Sequence, residues 1–454
     1  MTSKNALTAE STESLFLARN SSIRYRLFAE AANKFGGMAS LRFKGKSIAI
    51  ISDPIIAREL HTKHAASLAR RGPVNSLLRL IIGDSLLTID GDQWLSLRQA
   101  VNPALSETAV SVYLPELVRL FAARYDRLAT RSTTEYVHVS REDIVSNQYA
   151  ATARIVFGLD FSGPDLRKLV ANDLETFRHI GQFKPGSINL PSWIPFSLAN
   201  RVRQSASKST ELLLKYNRKF HANRSSEVQD QSILAWLNRE QATESRCPLR
   251  FGRTGELDLV RTLFYSATLT TAMTLEWALR ILASKRDIVD ELTSEIDELI
   301  TDDCEIVDSL PSLQLCRSFI LEVTRLYAVV PTVLKTAVAD ISVSRSVLIS
   351  QGTVVITSIH GIHTNPCFWD EPLEFRHDRF LRKDYPHEAF WPFSFGAHVC
   401  PGKSLALSEL VVSLALILRR FKVHEEPEID FEGAFQGVLV VPARSDSYRL
   451  VRRH

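Results

Sequence analysis

The segment from Leu257 to Ser284 constrains this chain most, because a helix written by it has no broad polar face. Leu259, Leu263, Phe264, Ala267, Met273, Leu275, Trp277 and Ile281 fall around most of its circumference. A helix of that kind must be enclosed, by protein or by lipid. Lipid is the poorer reading, since no window of about 18 apolar residues occurs. The longest run free of Asp, Glu, Lys and Arg, Ser346 to Trp369, is broken by serines, threonines, Gln351, His360, His363, Asn365 and Pro366. The segment therefore belongs at the centre of a large domain. A chain of 454 residues, 45% hydrophobic and 23% charged, has the length and composition to build one.

No internal repeat, low-complexity tract or Pro/Gly/Ser linker divides the sequence, so one domain over residues 1–454 is expected, the first twenty residues forming a flexible tail. Ala39 to Phe43 and Ser47 to Ile51 read as a strand pair turning at Lys44, Gly45 and Lys46. Helical spacing follows at Thr108 to Leu128, Val145 to Phe157, Leu166 to His179, Ala199 to Ala222 and Ser232 to Gln241. Ile188 to Pro195 carries two prolines and reads as an apolar loop. After the central helix come a helix from Leu313 to Val330, strands at Ser342 to Ile349 and Thr353 to Thr357, and a last helix from Ser404 to Arg420. Short strands at Val438 to Val441 and Tyr448 to Val451 complete it. The fold class is mainly α with small β-sheets (α+β).

Fifty-five basic against 51 acidic side chains leave a net charge of +4, too little to argue for nucleic acid. Glu10 and Glu13 stand where a signal peptide needs apolar residues, and five dispersed cysteines, Cys247, Cys304, Cys316, Cys367 and Cys400, form no disulfide framework. A cytoplasmic setting without a membrane anchor is expected. His360 and His363 have metal-like spacing but no third ligand, so core or solvated histidines are the better reading. No G-x-G-x-x-G follows a strand and no G-x-x-x-x-G-K-[ST] occurs, which argues against a fused nucleotide domain.

The sharpest signal is Phe393-Ser-Phe-Gly-Ala-His-Val-Cys-Pro-Gly402, a glycine-flanked loop presenting one cysteine just before a helix. A helix N-terminus favours a thiolate, and Gly396 and Gly402 let the backbone turn tightly and approach a flat ligand. The spacing F-x-x-G-x-x-x-C-x-G, with a basic residue two places before the cysteine, resembles the haem-binding signature of the cytochrome P-450 family of haem-thiolate monooxygenases. The resemblance implies haem b, with Cys400 as axial iron ligand and metal site, and with Phe393, Gly396, His398 and Gly402 around the cofactor. Thiolate ligation pushes electron density toward iron and favours O–O cleavage.

Three further motifs extend the resemblance over nearly the whole chain. Glu322 and Arg325 read by periodicity alone as an exposed ion pair. With Phe375-Arg-His-Asp-Arg-Phe380 downstream, they resemble the family's buried charge network, Arg379 being its third member. Trp94 and Arg98, four apart on one helical face, resemble the family's propionate-binding pair, with Lys335 a further cation. Ser266 to Thr271 resembles the oxygen-activation element. Thr270 matches as the catalytic hydroxyl, Leu269 replaces the usual acid and Ala267 the usual glycine. A hydroxyl bonded back to a helix carbonyl is the bland alternative for Thr270.

The resemblance thus implies a single-domain P-450 fold and a monooxygenase that takes O₂ and electrons from a ferredoxin or flavodoxin with its reductase. Its substrate would be mainly hydrophobic, a natural-product or secondary-metabolite intermediate. Pocket walls are expected from the Val74 to Leu87 loop, the Phe183 to Phe196 loop, Ala267, Leu269, Val330, Val333, Leu334 and Phe435. An acidic ferredoxin is expected to dock near Arg98, Lys403, Arg419, Arg420 and Lys422. Other haem-thiolate chemistry (peroxygenase, oxidative decarboxylation, rearrangement), which Leu269 favours, and a haem sensor are the alternatives.

Overall fold

The computed structural model describes residues 23–131, 135–183, 190–222, 231–243, 253–344, 347–382, 384–426, 428–444 and 447–453. The expected flexible tail, residues 1–20, lies wholly outside them, as do residues 188–189 of the Ile188 to Pro195 loop. The chain enters through α1 (Arg24–Lys34) into β1 (Met38–Phe43) and β2 (Lys46–Ile51). Lys44 and Gly45 take φ of +47° and +78°, giving the two-residue turn whose twist suits a hairpin. Helices α2 (Pro54–Thr62), α3 (Pro73–Ile82) and α4 (Gly91–Val101) flank the two-residue strand β3 (Leu68–Ala69). Five helices follow, interrupted by β4 (Tyr136–Val139): α5 (Glu107–Thr130), α6 (Arg141–Phe157), α7 (Gly163–Gly181), α8 (Leu198–Ala222) and α9 (Ile233–Thr243). The central helix α10 (Arg253–Ser284), α11 (Arg286–Leu299), the single turn α12 (Ile306–Ser309) and α13 (Gln314–Leu326) lead to strands β5 (Thr332–Ala337), β6 (Ile341–Val343), β7 (Val347–Ile349) and β8 (Val354–Ser358). After α14 (Ile359–His363) a long meander ends in α15 (Lys403–Arg420), and β9 (Phe421–Val423), β10 (Gly433–Gln436), β11 (Leu439–Pro442) and β12 (Tyr448–Arg452) close the fold.

The largest sheet runs β1-β2-β8-β5-β3, antiparallel except for the β2–β8 pair. Its β3–β5 register pairs Leu68 with Ala337 and Ala69 with Thr336, so Arg70 follows opposite Lys335. The remaining sheets are β4-β12-β9 and the hairpins β6-β7 and β10-β11. The stretch read as one strand from Ser342 to Ile349 is thus a hairpin, β6 with β7. The helix expected to reach Val330 stops at Leu326, because Tyr327 leaves helical conformation ahead of Pro331. The Val74 to Leu87 loop is largely α3: Pro73 sits in its first turn, where a missing N–H costs nothing, and Leu77, Ile81 and Ile82 bury its inner face.

As its sequence demands, α10 is enclosed, packing on α3, α6, α8, α13 and α15. Two polar ties orient it. Wholly buried Asp173 of α7 accepts from Tyr149 of α6, Ser209 of α8 and, at 2.7 Å, Tyr265 of α10. Burial raises its carboxyl to about 6, the three hydroxyls opposing the rise. Arg141 of α6 grips Glu276 of α10 with two bonds of 2.7 and 2.8 Å.

Glu322 and Arg325 are wholly buried rather than exposed. All five N–H donors of Arg325 are used: Glu322 takes two at 2.7 and 2.8 Å, and the carbonyls of His363, Pro372 and Glu374 take the others at 2.8, 2.7 and 3.1 Å. Arg379 adds a bond to Glu322 at 3.1 Å and reaches the Asp370, Glu371 and Glu374 carbonyls. The two side chains interrupt the apolar face of α13, and the loop after α14 closes over them. Arg325→Ala would leave Glu322 buried with one guanidinium fewer, a loss of about 3–5 kcal/mol. We expect poor expression and a lowered Tm; an unchanged thermal transition would mean that the remaining Arg379 contact suffices.

Candidate active site

Cys400 stands three residues before α15, its N–H donating to the Phe393 carbonyl at 2.9 Å. Ser394 and Gly396 turn the loop with φ of +63° and +70°. A Cβ on Gly396 would strike the carbonyl oxygen of His61 on α2, so only glycine lets the two backbones meet there. A Cβ on Gly402 would lie 3.9 Å from the Cys400 sulfur. Burial raises the Cys400 thiol pKa, while the Gly402 N–H and the Arg98 guanidinium work against the rise. Yet the residue is open at its surface. The sulfur is thus accessible to a ligand while its burial disfavours a charge on it.

Helix α10 presents its own open positions. Ser266, Ala267 and Thr270 are half-buried, whereas Thr268 and Leu269 are buried. At about 100° per residue, 266, 267 and 270 share a face from which 269 is turned away. Leu269 is 2% exposed and belongs to the main core, which corrects its assignment to the substrate pocket. Thr270 Oγ1 donates to the Ser266 carbonyl at 2.5 Å and Thr271 Oγ1 to that of Ala267 at 2.8 Å, the back-bonded arrangement. On β5, Leu334 is 41% exposed although its strand lies inside the sheet. Val330 is exposed, and Val333 and Phe435 are half-buried.

One wall of the site is crowded with cations. Lys335 is 4% exposed and its Nζ has no hydrogen-bond partner. Burial, with Arg70 adding to it, pulls its ammonium down to about 8. Arg70 donates to the Ile89 carbonyl at 2.8 Å, pairs with Asp90 at 2.7 Å and lies 2.9 Å from His398 Nδ1. Since a guanidinium only donates, His398 Nδ1 accepts and its remaining proton is on Nε2. Burial first, then Arg70, Lys335, His61 and Arg98, drive His398 down to about 3, so the ring is neutral. Arg98 is half-buried; burial lowers it and Cys400 opposes. Buried His61 bonds Thr357 through Nε2 at 3.0 Å and leaves Nδ1 unpartnered.

Trp94 departs from expectation: its indole N–H donates to the Leu86 carbonyl at 3.2 Å, so it offers no donor to a carboxylate. It packs edge-on against His398 at 4.1 Å instead. Arg70 and His61 were not singled out from the sequence. Arg70 reaches the site through the register of a two-residue strand, which leaves no periodicity to read. The proposed docking cations also divide. Arg419 pairs with Asp303 at 3.2 Å and Arg420 with Asp126 at 2.7 Å, so their charge is largely spent internally. Lys403 and Lys422 are exposed.

An unpartnered buried ammonium beside a second cation, a neutral donor histidine, and a cysteine open to a chamber walled by glycine make a site for a flat dianion with a soft metal centre. That is the chemistry of a haem-thiolate protein, and the residues present fit haem. The cytochrome P450 family model matches residues 12–449, and the chain belongs to that family, which binds haem b through a cysteine thiolate. The crystal structure of cytochrome P450DA heme domain superposes with a TM-score of 0.85 at 20% identity, covering 99% of this chain and 97% of that one. The chain is 25% identical over 450 residues to the chloroplastic protein LUTEIN DEFICIENT 5 of Arabidopsis thaliana (93% of this chain, 72% of that one). It is 24% identical to (+)-piperitol/(+)-sesamin synthase of Sesamum radiatum (88% and 80%) and 24% identical to isoflavone 2'-hydroxylase of Medicago truncatula (87% and 81%). It is a cytochrome P450 monooxygenase. Among the described residues no helix is long and apolar enough to cross a membrane.

Two outcomes are expected. Reduced protein under carbon monoxide should show the red-shifted band of thiolate ligation, and Cys400→His should lack it; a band that persists would place the ligand elsewhere. Lys335 has a folded value of about 8 against an ordinary 10.5, so the unfolded chain binds the extra proton between those values. Haem-free stability should therefore rise as pH climbs from 8 to 10.5, by an amount on the order of 3 kcal/mol. Lys335→Met should stabilise the haem-free protein at neutral pH yet lose haem faster to apomyoglobin. Equal haem loss from both proteins would show that Lys335 does not hold the cofactor.

Proposed function

We propose that this P450, acting as one domain over residues 1–454, oxidises a mainly hydrophobic organic substrate, a natural-product or secondary-metabolite intermediate. Electrons come from a ferredoxin or flavodoxin with its reductase, in the cytoplasm. The observation that carries the reading is the apolar wall of Ala267, Val330, Val333, Leu334 and Phe435, open at positions where a closed core would bury them. The names of the Sesamum radiatum and Medicago truncatula relatives, a (+)-piperitol/(+)-sesamin synthase and an isoflavone 2'-hydroxylase, support the substrate class.

Bound haem supplies reductive activation of O₂. Cys400 would ligate its iron as thiolate, a charge that Arg98 and the Gly402 N–H would compensate. Lys335, Arg98 and the Nε2–H of His398 would hold the propionates, with Arg70 fixing the histidine tautomer from behind. Trp94 contributes by packing, and Phe393 by accepting the Cys400 N–H.

Thr270 Oγ1 is one of two hydroxyls at the open face of α10, the other being Ser266 Oγ, which donates to the Thr262 carbonyl at 2.6 Å. The Thr270 hydroxyl is parked on the Ser266 carbonyl and must rotate to donate into the chamber. Leu269 can supply no proton and is a packing residue, so the proton that Thr270 gives up is replaced from water or from a polar group of the substrate. With Leu269 in the core, it no longer favours another haem-thiolate chemistry.

A surrogate ferredoxin and reductase, with NADPH and a panel of lipophilic metabolites, test the reading. Substrate should shift the haem band and raise NADPH consumption with product formed; turnover with peroxide alone would make the protein a peroxygenase. Thr270→Val should keep electron uptake but lower the product-to-electron ratio roughly tenfold or more. An unchanged ratio would remove Thr270 from proton delivery.

A further inference from the structure

Asp173 carries more chemistry than tying helices together requires. Its carboxylate is wholly buried, pairs with no cation among the described residues, and is met by hydroxyls alone. The two oxygens are divided between them: Tyr265 of α10 and Ser209 of α8 donate to Oδ1, and Tyr149 of α6 donates to Oδ2. An asparagine could tie the same helices through its carbonyl and amide without burying a charge. Only a carboxylate can also take up a proton. The cluster therefore joins two phenols through one base, the arrangement in which a tyrosine can give up an electron and its proton together.

Burial, and then the Asp173 charge, hold both phenols well above their ordinary value, so neither proton leaves unless an electron leaves too. Both rings are buried, away from water and solutes that would quench a radical. Tyr265 directly precedes Ser266 and Ala267, which open toward the chamber, so its ring stands one helix width, about 10–12 Å, from that face. The aromatic path beyond the pair is less favourable to an oxidised ring. Phe264 lies 6.3 Å from Tyr149 and 5.7 Å from Phe161, which stacks on Tyr216 at 3.6 Å. Tyr216 also donates to a carboxylate, that of Asp165, at 2.9 Å. However, Lys219 Nζ at 4.6 Å and Lys215 Nζ at 5.7 Å from its ring centre oppose positive charge there. The Lys215 hydrogen bond also holds the Asp165 carboxyl down to about 2, which makes it a poor base. Oxidation is thus favoured at the Asp173 pair.

We propose that Tyr265, Asp173 and Tyr149 form a redox-active unit that stores one oxidising equivalent from the bound haem when no substrate consumes it. Tyr265 loses one electron to the haem and passes its phenolic proton to Asp173 Oδ1, leaving a neutral phenoxyl radical and a carboxylic acid. The radical moves on when Tyr149 gives an electron to Tyr265, Asp173 returning a proton through Oδ1 and receiving one through Oδ2. An electron from the redox partner, passed through the haem, restores the phenol as Asp173 gives the proton back. The unit needs only haem in place and goes beyond the substrate reading above, so it stands even where that reading fails.

Electron paramagnetic resonance of the haem-loaded full chain, frozen rapidly after mixing with peracetic acid in the absence of substrate, tests it. Wild type should give an organic radical whose hyperfine splitting narrows when ring-deuterated tyrosine is incorporated. Tyr265→Phe with Tyr149→Phe should lose the signal and bleach its haem faster under peroxide. Asp173→Asn, which can tie the hydroxyls but takes no proton, should lose most of the signal. Both variants should keep the carbon monoxide band. Where the double variant does not, Tyr265→Phe alone decides, since it cuts Tyr149 off from the haem and should lose most of the signal. A wild type without a tyrosyl radical, a signal that survives loss of the two tyrosines, or an undiminished signal in Asp173→Asn overturns the proposal. A radical on Tyr327, which stacks on Trp277 of α10 at 4.4 Å, would be of the surviving kind.

Discussion

The guanidinium of Arg325 spends every donor it has inside the protein, and the cysteine loop is hung from that arrangement. Two of its bonds neutralise it on Glu322, one captures the carbonyl of His363 at the end of α14, and two capture those of Pro372 and Glu374 in the chain beyond. One of those carbonyls belongs to His363, whose ring in turn lies 2.9 Å from the Arg325 carbonyl and accepts the Trp391 N–H at 2.8 Å. Trp391 stacks on Phe395 and its carbonyl accepts the Ser394 N–H, which starts the turn toward Cys400. A buried charge pair is a poor source of net stability, but it tolerates few alternative geometries. Here it sets the path of a long irregular segment that has little regular structure of its own.

The opposite economy holds across the chamber. Lys335 and Arg70 are neighbours by strand register, a like-charge pair that costs stability in the chain alone. Asp90 offsets Arg70, and nothing within the described residues bonds Lys335 Nζ. An anion bound beside Lys335 would relieve that cost, and its binding and the folding of the chain would then support one another.

Central helix α10 serves both sides. Its 265, 268 and 269 positions face packed helices, where the Asp173 and Thr152 hydroxyl contacts hold it. Its 266, 267 and 270 positions open toward the chamber. This division explains why a leucine at 269 is accepted: that position is lined by core, where an apolar side chain is buried without cost and a carboxylate would have to be paired.

By itself the sequence determined the enclosed central helix, the helix-rich class and the cysteine loop, because these rest on local spacing: apolar residues around a full turn, and glycines fixed relative to one cysteine. The resemblance to the family's charge network brought out Glu322, Arg325 and Arg379, whereas periodicity alone set the first two on the surface. Tertiary structure decided what depends on partners distant in the chain. It buried the ion pair, since the loop that covers it lies some fifty residues away. It brought Arg70 opposite Lys335 through two residues of strand, occupied the Trp94 N–H with the Leu86 carbonyl, and turned Leu269 into the core. Composition shows neither where a donor is already spent nor which side of a helix is open, because both are fixed by what packs against it.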